Sequence, residues 1–222
     1  MSKGFWGVIA AIVVVFIGIY LINSNKSDST TKSTSTSAAT NHTLGKGTSG
    51  VTLQEFGDYQ CPACSQYHPI LKQVVAKYGD AIKFQFSNFP LTSIHPNAFA
   101  AARAAEAAGK QNKFWEMHDL LYETQQQWAP GSDPTPVFDQ MAKQLGLDEV
   151  KFKKDYASSE VNSAINADMA KGNQLKVTGT PAFFINGKSI EVKPTVESIS
   201  KAIDEAIANK SGSTQSTTPA KQ

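Results

Sequence analysis

A chain of 222 residues, 41% hydrophobic and 9% aromatic, has the material for a buried core without cross-links. Its 21 Lys+Arg against 19 Asp+Glu leave a net charge of +2, and Arg103 is the sole arginine. The bidentate phosphate and guanine contacts of nucleic-acid binders are therefore nearly absent, and no nucleic-acid partner is expected.

The amino terminus is apolar. Residues 5–22 (FWGVIAAIVVVFIGIYLI) carry no charge. At about 1.5 Å per residue they reach about 27 Å, close to a bilayer core of ~30 Å. A transmembrane helix is expected. A cleaved signal peptide is the rival reading, but its apolar region is usually shorter and Ile22-Asn23-Ser24 is a poor cleavage site. Residues 23–43 are rich in Ser and Thr with almost nothing apolar, so they read as a flexible tether. The expected organisation is an uncleaved anchor over 1–24, a disordered linker over 25–48, a folded domain over 49–209 and a disordered tail over 210–222. The domain is expected to be held outside the cytoplasm at the cell membrane by a single span.

In the folded part, Val51, Leu53 and Glu55 alternate with Thr52, Gln54 and Phe56, which predicts a strand. Cys61-Pro62 opens a helix to about Tyr78, with Pro62 in the first turn and Pro69 placed to kink it. Residues 81–87 (AIKFQFS) read as a second strand. From Pro96 to about Gly172 the pattern is almost wholly helical, with Phe114, Met117, His118 and Leu121 at helical spacing. Strand signals return at 182–185, followed by an Asn186-Gly187 hairpin turn, a strand over 189–192 and a last helix over about 195–208. Without the helical block, about 95–175, this is the element order of a thioredoxin-type domain.

The only two cysteines, Cys61 and Cys64, lie three positions apart, and three readings compete. As a staple the pair closes a loop worth only about 2 kcal/mol, which a core of this size does not need. As half a zinc site it lacks a second ligand pair with zinc-like spacing among His42, His68, His95 and His118. No metal or cofactor is expected. As a reactive pair it fits its surroundings. Cys61 at a helix N-terminus is favoured as a thiolate, and Cys64, nearly one turn further in, is the less exposed resolving partner.

Alternation puts Glu55 on the side of Val51 and Leu53, where burial would raise its pKa and suit it to relaying a proton for Cys64. The bland reading is a solvated carboxylate at a sheet edge. Of the histidines, His118 reads as a core-edge residue, His95 as a capping or loop residue and His68 as a helix-surface residue one turn beyond Cys64.

Three stretches carry a resemblance: EFGDYQCPAC at 55–64, HPNAFAAARAAEAAGKQNKFWEMHDLLYETQQQW at 95–128 and GTPAFFING at 179–187. Together they resemble the DsbA-like thiol-disulfide oxidoreductases, in which a helical domain is inserted into a thioredoxin-like α/β fold. The resemblance implies that Cys61 is the exposed nucleophile, Cys64 its buried partner and Glu55 the buried acid. Pro181 is implied to be a cis-proline facing the pair, with Thr180 and Pro181 offering backbone groups to an extended substrate peptide. It also implies exported proteins with free thiols as substrates and a membrane reoxidase, DsbB-like or VKOR-like, as a partner. Pro62-Ala63 lacks the histidine of the most oxidising members, and Thr180 is shared with isomerase and reductase relatives. A reductase or isomerase of the cell envelope, and a non-catalytic surface module, are the alternatives to an enzyme that introduces disulfides.

Overall fold

The structure is a computed structural model, and it describes residues 39–214, with side chains through Lys210. The expected anchor, the first part of the linker and residues 215–222 lie outside the described residues. No helix among the described residues is long and apolar enough to cross a membrane.

Five strands form one mixed sheet in the order β1-β3-β2-β4-β5. These are β1 (His42–Leu44), β2 (Val51–Gly57), β3 (Ile82–Asn88), β4 (Ala182–Ile185) and β5 (Lys188–Ile190). β2 and β3 are parallel, with Leu53 opposite Phe84 and Glu55 opposite Phe86. β4 runs antiparallel to β2 on its other side, with Glu55 opposite Phe183. The parallel pair requires a crossover, and α1 (Pro62–Tyr78) supplies it. That helix continues through Pro69, whose carbonyl accepts a bond from Gln73 Nε2.

Six helices separate β3 from β4: α2 (Ala98–Gly109), α3 (Phe114–Glu123), α4 (Gln125–Trp128), α5 (Thr135–Gln144), α6 (Glu149–Tyr156) and α7 (Ser159–Gln174). Two of them start on side-chain caps that satisfy a free N–H of the first turn, Asp148 to Lys151 and Ser158 to Val161. The small side chains of α2, with Ala101, Ala104, Ala105 and Ala108 fully buried, let neighbouring helices approach closely. After β4, Asn186 and Gly187 take φ of 50° and 80°, the paired left-handed conformations of a tight hairpin turn. A final helix, α8 (Val196–Thr214), packs against β2, β4 and α1.

The apolar interior falls into separate clusters. One joins Val51, Leu53, Phe84 and Phe183 of the sheet to Leu71 of α1 and Ile199 of α8. Another fills the helical insertion and reaches Tyr59, Cys61, Cys64 and Phe86. The cysteine pair therefore sits where the insertion meets the sheet.

Two expected boundaries are corrected. The linker does not extend to residue 48, because His42–Leu44 pair antiparallel with Phe84–Phe86 as an edge strand. Their partners are backbone groups and buried acids far along the chain: Thr40 N and Oγ1 donate to Asp168 at 2.7 and 2.6 Å, and His42 Nε2 lies 2.9 Å from Glu106 Oε1. The last helix does not stop before residue 210 but runs to Thr214, since no proline intervenes before Pro219.

Candidate active site

Cys61 is the N-cap of α1, extended at φ −69° and ψ 122°, with Pro62 at the first helical position. The backbone N–H groups of Ala63 and Cys64 in the first turn favour a charged sulfur there, and no acidic residue occupies that turn. The residue is 6% exposed and Cys64 0%. The order of burial is as expected, but the openness of Cys61 is corrected: Thr180 lies against it, with the Cys61 Sγ–H donating to Thr180 O at 3.3 Å.

The two thiols, both free here, are driven apart in acidity. Cys61 is lowered to about 5, foremost by a hydrogen bond from the Cys64 thiol. Burial opposes this, while Thr180 and the backbone N–H groups of Cys64 and Ala63 help. Thr180 Oγ1 is buried with no partner among the described residues while Cys61 is a thiol, which leaves it ready to donate to a thiolate. Cys64 is raised well above the usual thiol range by burial, by its bond to Cys61 and by the nearby charge of Glu55. The first sulfur is thus an anion at neutral pH and the second a thiol.

Glu55 is 1% exposed, on the same side of β2 as Val51 and Leu53. Its Oε1 has no hydrogen-bond partner among the described residues, and burial, with the Cys61 charge a smaller contribution, pushes its pKa up to about 8. A carboxyl in this state is a proton reservoir beside the sulfur least able to leave as an anion. The Thr180-Pro181 peptide is cis. A cleft of about 470 Å³ beside it is lined by Tyr67, residues 175–184 and residues 189–192.

The turn between β2 and α1 is held by groups to which the sequence reading gave no role. Asp58, buried, accepts from Gln60 N at 2.7 Å, Leu91 N at 2.8 Å and His95 Nδ1 at 2.7 Å, while its carbonyl accepts from Cys61 N. The helical insertion grips the same turn: Gln125 Nε2 donates to Tyr59 O and Cys61 O, and Gln60 Nε2 donates to Ala129 O. An Asp followed two residues later by an amide-bearing residue and then the first cysteine was the signal available. His95 is a loop residue as read. His68 is corrected from the surface to the interior, at 5% exposed, because α3 packs over that face of α1. His118 is buried among aromatic rings, 3.1 Å from Tyr59 Oη.

Residues 37–205 match the family described as Thioredoxin. The probable disulfide bond formation protein D of Bacillus cereus is 30% identical over 216 residues, covering 93% of this chain and 96% of that protein. The Na(+)/H(+) antiporter NhaA 1 of Salinispora arenicola is 35% identical over 167 residues, 75% of this chain. This chain spans about a quarter of that antiporter's length. Among solved structures, BdbD of Bacillus subtilis superposes with a TM-score of 0.62 at 26% identity, covering 75% of this chain and 92% of BdbD. The chain belongs to the thioredoxin family and is similar over nearly its whole length to a probable disulfide bond formation protein.

Proposed function

We propose that this chain oxidises thiols of exported proteins, donating its Cys61–Cys64 disulfide outside the cytoplasm. The observation that carries the reading is the opposed acidity of the two sulfurs at one helix end. A substrate thiolate attacks Cys61 Sγ, the Cys61–Cys64 bond breaks, and Cys64 leaves with a proton supplied by the neutral Glu55 carboxyl. A second substrate thiolate then attacks the substrate sulfur of the mixed disulfide and releases Cys61 as a thiolate. The substrate is oxidised by two electrons and the CxxC pair reduced by two. Thr180 and Pro181 offer backbone groups to the substrate peptide in an extended, strand-like pose.

Residues 5–22 support anchoring by one span, which would keep the domain near a membrane reoxidase, DsbB-like or VKOR-like, that restores the disulfide. Relatives named disulfide bond formation protein D support the oxidising direction.

Equilibration with defined glutathione buffers tests the direction. At pH 7 a Cys61 pKa of about 5 stabilises the dithiol by ~2.3 kcal/mol more than a thiolate of pKa ~7, as in thioredoxin. For two electrons that is ~50 mV, so the potential is expected near −220 mV, against ≈ −270 mV for thioredoxin. A value at or below thioredoxin's would make the chain a reductase instead.

A further inference from the structure

One helical turn beyond Cys64, α1 and α3 bring two buried histidines and an aspartate to the rim of an apolar cavity. We propose that His68, His118 and Asp119 form a binding site for a borderline divalent cation, zinc, that bridges the two helices. One potential ligand atom from each residue lies within 4.8 Å of the others. Tetrahedral zinc, with bonds of ~2.0–2.2 Å to nitrogen and oxygen, needs ligand atoms ~3.3 Å apart. His68 Nε2 and Asp119 Oδ1 are already 3.5 Å apart. From at most 4.8 Å the three atoms must draw together by about 1.5 Å or less, a movement shared by both helices and by the Asp119 side chain, which is 35% exposed and paired with Lys72.

The site is built toward a ligand rather than toward itself. His68 Nε2 is buried with no hydrogen-bond partner among the described residues, an unfavourable state for a ring nitrogen unless something else engages it. His118 Nδ1 is held by Tyr59 Oη at 3.1 Å. With Nδ1 protonated toward that oxygen, Nε2 keeps its lone pair for the ion, the outer-shell arrangement by which ligating histidines are oriented. Asp119 Oδ2 accepts from Lys72 Nζ at 2.8 Å, which leaves Oδ1 to coordinate. Lys72 also binds Glu123 Oε1 at 3.0 Å, so its charge is compensated. Glu123 Oε1 itself stands 3.9 Å from His68 Nε2, within reach as an outer oxygen.

Access exists as well. His68, His118, Asp119 and Lys72 line a cavity of about 250 Å³ otherwise walled by groups such as Leu71 and Trp115. Two imidazoles and one carboxylate suit zinc and disfavour calcium and magnesium, which prefer all-oxygen shells. Spacing along the chain gave no hint of this set, because 50 residues separate His68 from His118.

The test uses tag-free protein with Cys61 and Cys64 joined as a disulfide, so that the sulfurs cannot ligate. Calorimetric titration with zinc chloride is expected to give one zinc per chain and a raised melting temperature, with no such rise from calcium or magnesium at the same concentration. His68→Gln and Asp119→Asn are each expected to weaken zinc at least tenfold. Asp119 is partly exposed, so its variant keeps the test alive should His68→Gln fold poorly. No zinc bound by the disulfide form, or equal affinity in wild type and Asp119→Asn, would overturn the proposal.

Discussion

The Cys64 thiol is hydrogen-bonded to the Cys61 sulfur, and this one bond is the largest influence holding Cys61 near a pKa of 5. The resolving residue therefore also tunes the attacking one. Alkylation of Cys61 with iodoacetamide is expected to show a midpoint near pH 5. In Cys64→Ala the midpoint should rise by about one to two pH units, since a hydrogen bond to a charged group is worth ~1.5–3 kcal/mol. A wild-type midpoint near 9 would mean that the helix end and Cys64 do not act as described.

Glu55 makes stability depend on pH in a definite direction. Its pKa is about 8 in the fold and near 4.5 when unfolded, so between these values the native state binds the extra proton. Stability therefore falls as pH rises through that window, and below it the effect vanishes. Glu55→Gln, which cannot ionise, should exceed the wild type by about 3 kcal/mol at pH 7 and show no such gain at pH 4. Urea denaturation of the reduced form, in which both cysteines are free, measures the difference at several pH values. The same variant should flatten the pH profile of thiol exchange between pH 7 and 9.

Asp58 is expected to be a structural support of the reactive turn. Asp58→Ala strands the part-buried N–H groups of Gln60 and Leu91, and should cost about 2–3 kcal/mol. Because the Cys61 amide bonds to the Asp58 carbonyl, alkylation kinetics should change along with thermal stability. A variant with unchanged melting and unchanged Cys61 reactivity would remove Asp58 from the site.

The amino-terminal strand should contribute to the stability of the domain. His42 stacks on Phe114 with ring centroids 3.4 Å apart and engages buried Glu106. His42→Ala leaves that carboxylate with Asn88 as its remaining partner, and should cost about 2–3 kcal/mol. For a domain of this size that is a drop of about 5–10 °C in melting temperature. A change below 1 °C would mark residues 39–44 as an ornament of the fold.

Much of this arrangement was legible in the chain. Glu55 could be assigned to the inner side of β2 because strand periodicity is local, and Cys61-Pro62 marked a helix start because N-terminal preferences are local too. The hairpin announced itself through Asn186-Gly187. What was missed depends on partners far away in sequence. β1 is three residues in a polar stretch, and only the edge of β3 makes it a strand. Asp58 looks like any turn aspartate until Leu91 and His95 arrive above it, 33 and 37 residues later. His68 was read as exposed because nothing within α1 reveals that α3 covers it.

The pair of bonds from Gln125 to the carbonyls of Tyr59 and Cys61 has a consequence for engineering. The helical insertion is fastened to the backbone that presents the reactive sulfur, so the two cannot be treated as interchangeable modules. Transplanting CPAC alone onto a minimal thioredoxin scaffold would leave those two carbonyls without their clasp, and the graft would inherit the letters without the acidity.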